Sequence, residues 1–259
     1  MVDRTARACH RPAVIDLQPP PPSLLHGASL FLDFDGTLVE LAERPDAIQV
    51  PPTLPDLLVR LADRLDGRLA IVSGRALADL DRHLPCAASL YACGSHGAEF
   101  RLPNQALSFS GDASAGLATL REAANAFGKE RPGVLVEHKP AGLALHFRQA
   151  PAAGAEAARF AETWAQRSGL ALQHGKCVVE LRPAGLDKGT AVRRIMREPP
   201  FADARPVFVG DDLTDEHAFD AADSLGGAGV LVGAVRTTAA RWRLPDVSAV
   251  AAWLQRAAR

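Results

Sequence analysis

Long apolar runs are missing from this chain, and so is any surplus of charge of one sign. No stretch approaches the ~18 consecutive apolar residues of a membrane-spanning helix, so a helical membrane protein is not expected. Lys and Arg number 29 against 30 Asp and Glu, which leaves no basic excess to release counterions from a nucleic acid or to hold an anionic bilayer. Neither nucleic acid nor membrane is therefore an expected partner. Cysteine is scarce, and Cys9, Cys86, Cys93 and Cys177 form no Cys-x-x-Cys pair and have no zinc-type histidine spacing. They read as reduced thiols of a cytoplasmic protein. Asp3, Arg4, Arg7, Arg11 and Asp16 interrupt the apolar stretches near the N-terminus, so no secretory signal core is expected there.

What is present suffices for a globular core, since 47% of the 259 residues are hydrophobic. Residues 1–27 lack periodicity and end in the tract Gln18-Pro19-Pro20-Pro21-Pro22, which resists helix formation and reads as a disordered leader. Beyond it, short apolar runs at Leu30–Phe34, Leu69–Val72, Leu90–Cys93, Val207–Val209 and Val230–Val232 alternate with helical patterns such as Leu54 to Leu65, Thr190 to Met196 and Ala249 to Leu254. That alternation predicts an α/β fold with an open, parallel, Rossmann-like sheet and helices on both faces.

The middle of the chain changes period. Val134–Lys139 and Leu143–Arg148 alternate every two residues across Pro140-Ala141-Gly142, as in a hairpin, and a third strand is expected at Cys177–Arg182. The expected organisation is a core made of 28–101 and 185–259, with a smaller α/β cap domain at 102–184 inserted between them.

Asp33-Phe34-Asp35-Gly36-Thr37 follows the first apolar strand directly. Ligands of an open α/β sheet bind at the carboxyl ends of its strands, and residues two apart on a strand face the same way, so both carboxylates can face one crevice. The alternative of a simple Asx turn does not need so many fixed residues. Ser73 in Val72-Ser73-Gly74-Arg75 ends the next strand and is expected to open a helix, where it serves as a phosphoryl-oxygen ligand or as a plain N-cap. Lys188 in Asp187-Lys188-Gly189-Thr190 heads another helix, as a point charge for phosphate or a solvated surface lysine. Gly210-Asp211-Asp212-Leu213-Thr214-Asp215-Glu216 follows Pro206–Val209. Acids in a first helical turn often serve as caps, but this many clustered opposite Asp33 and Asp35 make a hard oxygen site suited to Mg²⁺.

In that order, Asp-x-Asp-Gly-Thr, Ser, Lys and Gly-Asp-Asp-x-x-Asp resemble the haloacid dehalogenase superfamily of phosphotransferases. The resemblance implies Asp33 as the nucleophile that forms an aspartyl-phosphate, and Asp35 as general acid and then base. It implies Ser73 and Lys188 on the phosphoryl oxygens. It further implies Mg²⁺ held by Asp33, the backbone carbonyl of Asp35, and Asp211, with Asp212 and Asp215 in support. The chemistry is coherent, because a phosphomonoester dianion repels a carboxylate until cations neutralise it, and covalent capture divides one hard hydrolysis into two easier steps.

Specificity is expected in the cap. Glu137 and Lys139 share a strand face, as do His146 and Arg148, and Glu180 and Arg182. Such a polar face reads either as an ordinary solvated sheet face or as a sugar site. Val136-Glu137-His138-Lys139, the run from Leu143 to Pro151, and the run from Gly175 to Pro183, together with Gly210–Glu216, resemble the trehalose 6-phosphate phosphatases. This resemblance covers nearly everything after the leader. It implies a phosphorylated disaccharide as substrate, with Glu137, Lys139 and Glu180 on sugar hydroxyls. Gly74, Arg75 and His96 in the turn Gly94-Ser95-His96-Gly97 would line the core side, although His96 can equally serve to fix its own loop. A trehalose 6-phosphate synthase is implied as a pathway neighbour. Rival readings are a phosphatase for sucrose phosphate or mannosylated phosphoglycerate, a sugar phosphomutase, and a sugar-phosphate sensor without turnover.

Overall fold

The strand that precedes the Asp33–Thr37 motif is β1 (Ala28–Leu32), and every one of its residues is buried. Its one hydroxyl, Ser29, donates to the Phe201 carbonyl at 3.3 Å, and the rest is apolar, so the strand needs cover on both faces. The computed structural model describes residues 16–42, 47–103, 105, 108–109, 116–175 and 177–259. After β1 come α1 (Leu54–Arg64), β2 (Leu69–Val72), α2 (Leu77–His83), β3 (Tyr91–Gly94), β4 (Glu99–Arg101) and β5 (Ser108–Phe109). The middle contains α3 (Leu117–Lys129), β6 (Leu135–Lys139), β7 (Gly142–His146), α4 (Gly154–Ser168), β8 (Leu170–Gly175) and β9 (Val178–Pro183). The chain closes with α5 (Lys188–Ile195), β10 (Arg205–Gly210), α6 (Glu216–Ser224), β11 (Ala228–Val232), β12 (Trp242–Leu244) and α7 (Val247–Ala257).

One sheet has the order β12-β11-β10-β1-β2-β3-β4-β5. From β12 to β3 the neighbours pair in parallel, as expected, and β4 and β5 extend the β3 edge antiparallel. Successive residues of the central strands enter opposite cores, as the two-residue period demands. Leu30 and Leu32 join a core with Leu57, Leu58 and Leu61 of α1 and Trp253 of α7. Phe31 joins the other, with Val192 and Ile195 of α5 and Phe219 of α6. Helix α1 forms because Leu54, Leu57, Leu58 and Leu61 make one apolar stripe at helical spacing. No helix among the described residues is long and apolar enough to cross a membrane.

The second sheet is antiparallel, in the order β6-β7-β9-β8. Leu143, Leu145, Val179 and Leu181 on one of its faces pack against Leu120 and Phe127 of α3 and Ala157 and Ala161 of α4. The expected hairpin and third strand are β6, β7 and β9, while β8 was not anticipated.

Two expected boundaries move. The leader assigned to residues 1–27 does not extend that far among the described residues, and positions 1–15 lie outside them. Leu25 is buried in the first core and Leu17 packs against the second. The Gln18 carbonyl accepts from Arg243 N–H of β12 at 3.1 Å, and Asp16 pairs with the Arg243 guanidinium at 2.9 Å. A proline tract lacks donors but keeps its carbonyls, so it can run beside an edge strand as an acceptor. The cap was expected to begin at residue 102, yet β5 at 108–109 belongs to the core sheet.

The site follows from one adjacency. β1 pairs with β10, Leu32 opposite Val209, and Asp33 N–H donates to the Val209 carbonyl at 2.9 Å. The Asp33 and Asp211 segments therefore leave the sheet side by side, at the carboxyl ends of neighbouring strands.

Candidate active site

Asp33 is the first residue beyond β1 and is buried. Lys188 opens α5, whose N-terminus is fixed by a reciprocal capping box: the Asp187 carboxylate accepts from Thr190 N–H at 2.7 Å and Thr190 Oγ1 accepts from Asp187 N–H at 2.9 Å. The Lys188 ammonium is thereby delivered inward, 3% exposed, at 2.9 Å from Asp33 and 2.7 Å from Asp215. It is no solvated surface lysine. Asp215 is fully buried, and its other oxygen accepts from the amides of Asp211 (2.9 Å) and Asp212 (3.0 Å). One carboxylate thus ties the acidic loop to the lysine helix.

Ligand oxygens of Asp33, Asp211 and Asp215 gather within 4.8 Å of one another. Asp211 lies against Gly36, where a Cβ would fall 2.2 Å from its carboxylate, and Gly36 holds φ +72°. Only glycine fits that close approach. Burial and the neighbouring Asp215 and Asp212 push the Asp211 carboxyl up to about 7. Burial also raises Asp33 well above the ordinary carboxylate range, against the pull of Lys188. For Lys188 burial favours the neutral amine, but the Asp33, Asp215 and Asp212 carboxylates outweigh it and keep the ammonium charged.

The other two expected acids are engaged elsewhere. Asp35 turns both oxygens to the Arg75 guanidinium, at 2.6 and 2.7 Å. Asp212 accepts from Thr214 N–H (2.7 Å) and Thr214 Oγ1 (2.6 Å), capping the 3-10 turn Leu213–Asp215. Its carboxylate is a cap in this arrangement and stands outside the gathered oxygens.

Ser73 is buried at the end of β2. It does not open a helix: α2 starts at Leu77 after Ala76, and Ser73 Oγ accepts instead from Arg75 N–H at 3.1 Å. Gly74 gives room for the His96 imidazole, since a Cβ there would lie 2.7 Å from the ring. Arg75 continues from Asp35 to Asp79 at 2.6 Å, one helical turn on. Burial, then the cations Lys188, Lys139 and Arg182, push His96 down to about 3, so it is neutral at ordinary pH. Its Nδ1 is buried with no hydrogen-bond partner among the described residues.

Over this crevice stands the polar face of the second sheet. Strand register puts Glu137 and Glu180 on either side of Ala144, and Lys139 opposite Gly142. With no bulk on the middle strand, Lys139 reaches across it to Glu180 at 3.1 Å, both side chains being largely buried. The Glu137 carboxylate accepts from His146 Nε2 at 2.7 Å. That bond first, opposed by burial and aided by Lys139 and Arg75, keeps its carboxyl below the usual range.

Sequence reasoning missed three groups around this site: Asp79 behind Arg75, Glu99 behind the His96 turn, and Arg236, whose guanidinium donates to the Asp212 carbonyl at 2.8 Å and pairs with Glu216. Asp79 was findable from its four-residue spacing to Arg75. For the other two the sequence holds no signal.

The sequence profile described as trehalose-phosphatase matches residues 31–248. The chain is 42% identical over 207 residues to a "probable trehalose-phosphate phosphatase" of Sinorhizobium fredii, covering 79% of this chain and 77% of that protein. It is 39% identical over 248 residues to the trehalose-6-phosphate phosphatase of Escherichia coli, covering 90% and 88%. The crystal structure of a trehalose-6-phosphate phosphatase related protein superposes with a TM-score of 0.71 at 26% identity, over 87% of this chain and 95% of that one.

Proposed function

The chain belongs to the trehalose-phosphatase family, and we propose that its crevice hydrolyses trehalose 6-phosphate to trehalose and phosphate through an aspartyl-phosphate on Asp33. The observation that carries this reading is the buried contact of Lys188 with Asp33 at 2.9 Å. A nucleophilic carboxylate and the cation that tames a phosphate dianion stand together at the carboxyl ends of adjacent strands.

Asp33 attacks phosphorus as the bond from phosphorus to the sugar oxygen breaks, and water then cleaves the acyl phosphate and restores the carboxylate. Two N–H groups of the Lys188 ammonium are taken by Asp33 and Asp215, leaving the third for a phosphoryl oxygen. Ser73 accepts from Arg75 N–H, so its own hydrogen is available for another. Asp35 protonates the leaving sugar oxygen and later takes the proton of the attacking water. Arg75 binds both Asp35 oxygens, so Asp35 acts as an acid only when the guanidinium yields, and phosphate oxygens are the natural alternative acceptors for it.

The donor set suits Mg²⁺: Asp33 and Asp211, with Asp215 behind them, are all oxygen donors and carry more negative charge than Lys188 balances. Asp33, Asp211 and the Asp35 backbone carbonyl would hold Mg²⁺, which when bound would supply the charge neutralisation that lets a carboxylate approach a phosphate dianion. Asp212 supports the loop through its cap and not as a direct ligand.

Residues 116–183 act as a cap. Glu137, Lys139 and Glu180 offer acceptors and donors to vicinal sugar hydroxyls from one largely desolvated face, and neutral His96 with Arg75 completes the enclosure from the core. The reaction that must supply this substrate is the one that joins the two glucose units, a trehalose 6-phosphate synthase. Free thiols at Cys86, Cys93 and Cys177 favour a reducing compartment, the cytoplasm.

Phosphate release measured with Mg²⁺ on trehalose 6-phosphate, sucrose 6-phosphate, glucose 6-phosphate, mannosylated phosphoglycerate and p-nitrophenyl phosphate tests the reading. The highest kcat/KM is expected on trehalose 6-phosphate. A higher value on another sugar phosphate, or no release from any, would overturn it.

A further inference from the structure

Glu99 is a carboxylate with 1% exposure, and no step of the proposed reaction uses it. Buried carboxylates are costly unless both oxygens are bonded, and these are bonded to two different loops. One oxygen accepts from Leu77 N–H at 2.9 Å, at the end of the loop that runs from Ser73 through Arg75. The other accepts from the Ser95 hydroxyl, in the turn that presents His96.

That turn is strained. Ser95 and His96 are consecutive non-glycine residues in the left-handed region, at φ +47° and +54°, where L side chains persist only when their surroundings hold them. The surroundings here are specific. Ser95 N–H donates to the Arg75 carbonyl at 2.8 Å and His96 N–H to the Ser73 carbonyl at 3.2 Å, so the turn is stitched to the Ser73–Leu77 loop along its length. Gly94 and Gly74 permit the close approach: a Cβ on Gly94 would fall 2.8 Å from the Arg75 carbonyl. These backbone bonds set how the two loops meet. The Glu99 carboxylate bonds to both loops, and the register of β3 with β4 places it opposite Gly94.

We infer that Glu99 is a positioning residue for substrate recognition: it locks the strained Ser95–His96 turn onto the Ser73–Leu77 loop and thereby fixes His96 and Arg75 against the cap. This rests on the sugar-phosphate reading for the roles of His96 and Arg75, but the positioning itself can be measured without substrate. Glu99→Gln keeps both bonds, because an amide oxygen accepts from Leu77 N–H and the amide N–H donates to Ser95 Oγ. Glu99→Ala keeps neither. Ser95→Ala removes one arm and leaves the bond to Leu77 intact.

The test combines steady-state kinetics on trehalose 6-phosphate with the imidazole resonances of His96 in ¹⁵N-histidine-labelled protein, assigned by difference from H96Q. Glu99→Ala and Ser95→Ala should both move the His96 resonances and raise KM by about fivefold or more while kcat stays within about twofold. Glu99→Gln should restore wild-type resonances and KM. If Glu99→Ala does not fold, Ser95→Ala decides alone. Unmoved His96 resonances in the folded variants, or a Glu99→Gln protein as impaired as Glu99→Ala, would overturn the positioning role. A wild-type protein inert on trehalose 6-phosphate, whose His96 resonances still move in these variants, overturns the substrate reading and upholds the lock.

Discussion

The Lys188 ammonium stands 2.9 Å from the Asp33 carboxylate with both side chains buried, and it reaches Asp215 from the same nitrogen. Removing the cation leaves two buried carboxylates short of a counter-charge. Lys188→Ala should therefore lower turnover of trehalose 6-phosphate and of p-nitrophenyl phosphate alike, by about a hundredfold or more. Stability should also fall, by roughly 3–5 kcal/mol as for a broken buried pair. Parallel turnover and urea unfolding measurements check both, and loss on only one of the two substrates would place Lys188 on the sugar side.

Metal binding should depend on pH. Burial and neighbouring acids hold the Asp211 carboxyl up to about 7, and a ligating carboxylate must be deprotonated. Below that pH a cation has to displace a proton, so Mg²⁺ affinity should weaken as pH falls through about 7. The rise of Tm on adding Mg²⁺, followed from pH 8 to about 5.5, reads this directly. Excess chelator should abolish turnover, and Gly36→Ala should abolish the Mg²⁺-induced Tm rise, because its Cβ would fall on the Asp211 carboxylate.

The cap makes a prediction about selectivity. Glu137→Ala and Glu180→Gln remove or weaken charged acceptors for sugar hydroxyls, so kcat/KM on trehalose 6-phosphate should fall about tenfold or more. An aryl phosphate has no such hydroxyls and should be hydrolysed almost as before. Equal losses on both substrates would assign these side chains to folding or closure, and no loss would leave the face merely solvated.

Residues before β1 contribute to stability. Leu25 is 3% exposed in the core that also contains Leu58 and Trp253, so a chain lacking residues 1–27 should lose about 1.5–3 kcal/mol for that side chain alone. One lacking residues 1–15 keeps Asp16 against Arg243 and should keep more of that stability. Urea midpoints of the two truncations decide the order.

How much of this was legible in the sequence depends on what each residue does. Asp33 and Asp211 announce themselves because carboxylates at the ends of apolar strands have few structural uses, whereas Lys188, at the head of a helix, reads equally as a solvated lysine until the family resemblance gives it a role. The central strands were readable from their apolar runs, and β6, β7 and β9 from their alternation. β8 was not, because Leu170-Ala171-Leu172 follows α4 with only Gly169, at φ +68°, to mark the stop. Ser73 was expected at a helix start, but the helix waits until Leu77, since the intervening loop is stitched to the Ser95–His96 turn. The Asp212 carboxylate caps the Leu213–Asp215 turn, a choice made by local hydrogen bonds that composition does not reveal. Glu99 and Arg101 carry no signal in the sequence. Each is buried by partners distant in sequence or on other elements: Leu77 and Ser95 for the first, Asp81 for the second.

The central claim is that Asp33 is the atom donor to phosphorus, and Asp33→Asn tests it most directly, because an amide keeps the shape and cannot attack. Turnover of trehalose 6-phosphate in saturating Mg²⁺ should fall by about a thousandfold or more with the fold retained by circular dichroism. Turnover within about tenfold of the wild-type protein would contradict the account, since another group would then be forming the bond to phosphorus.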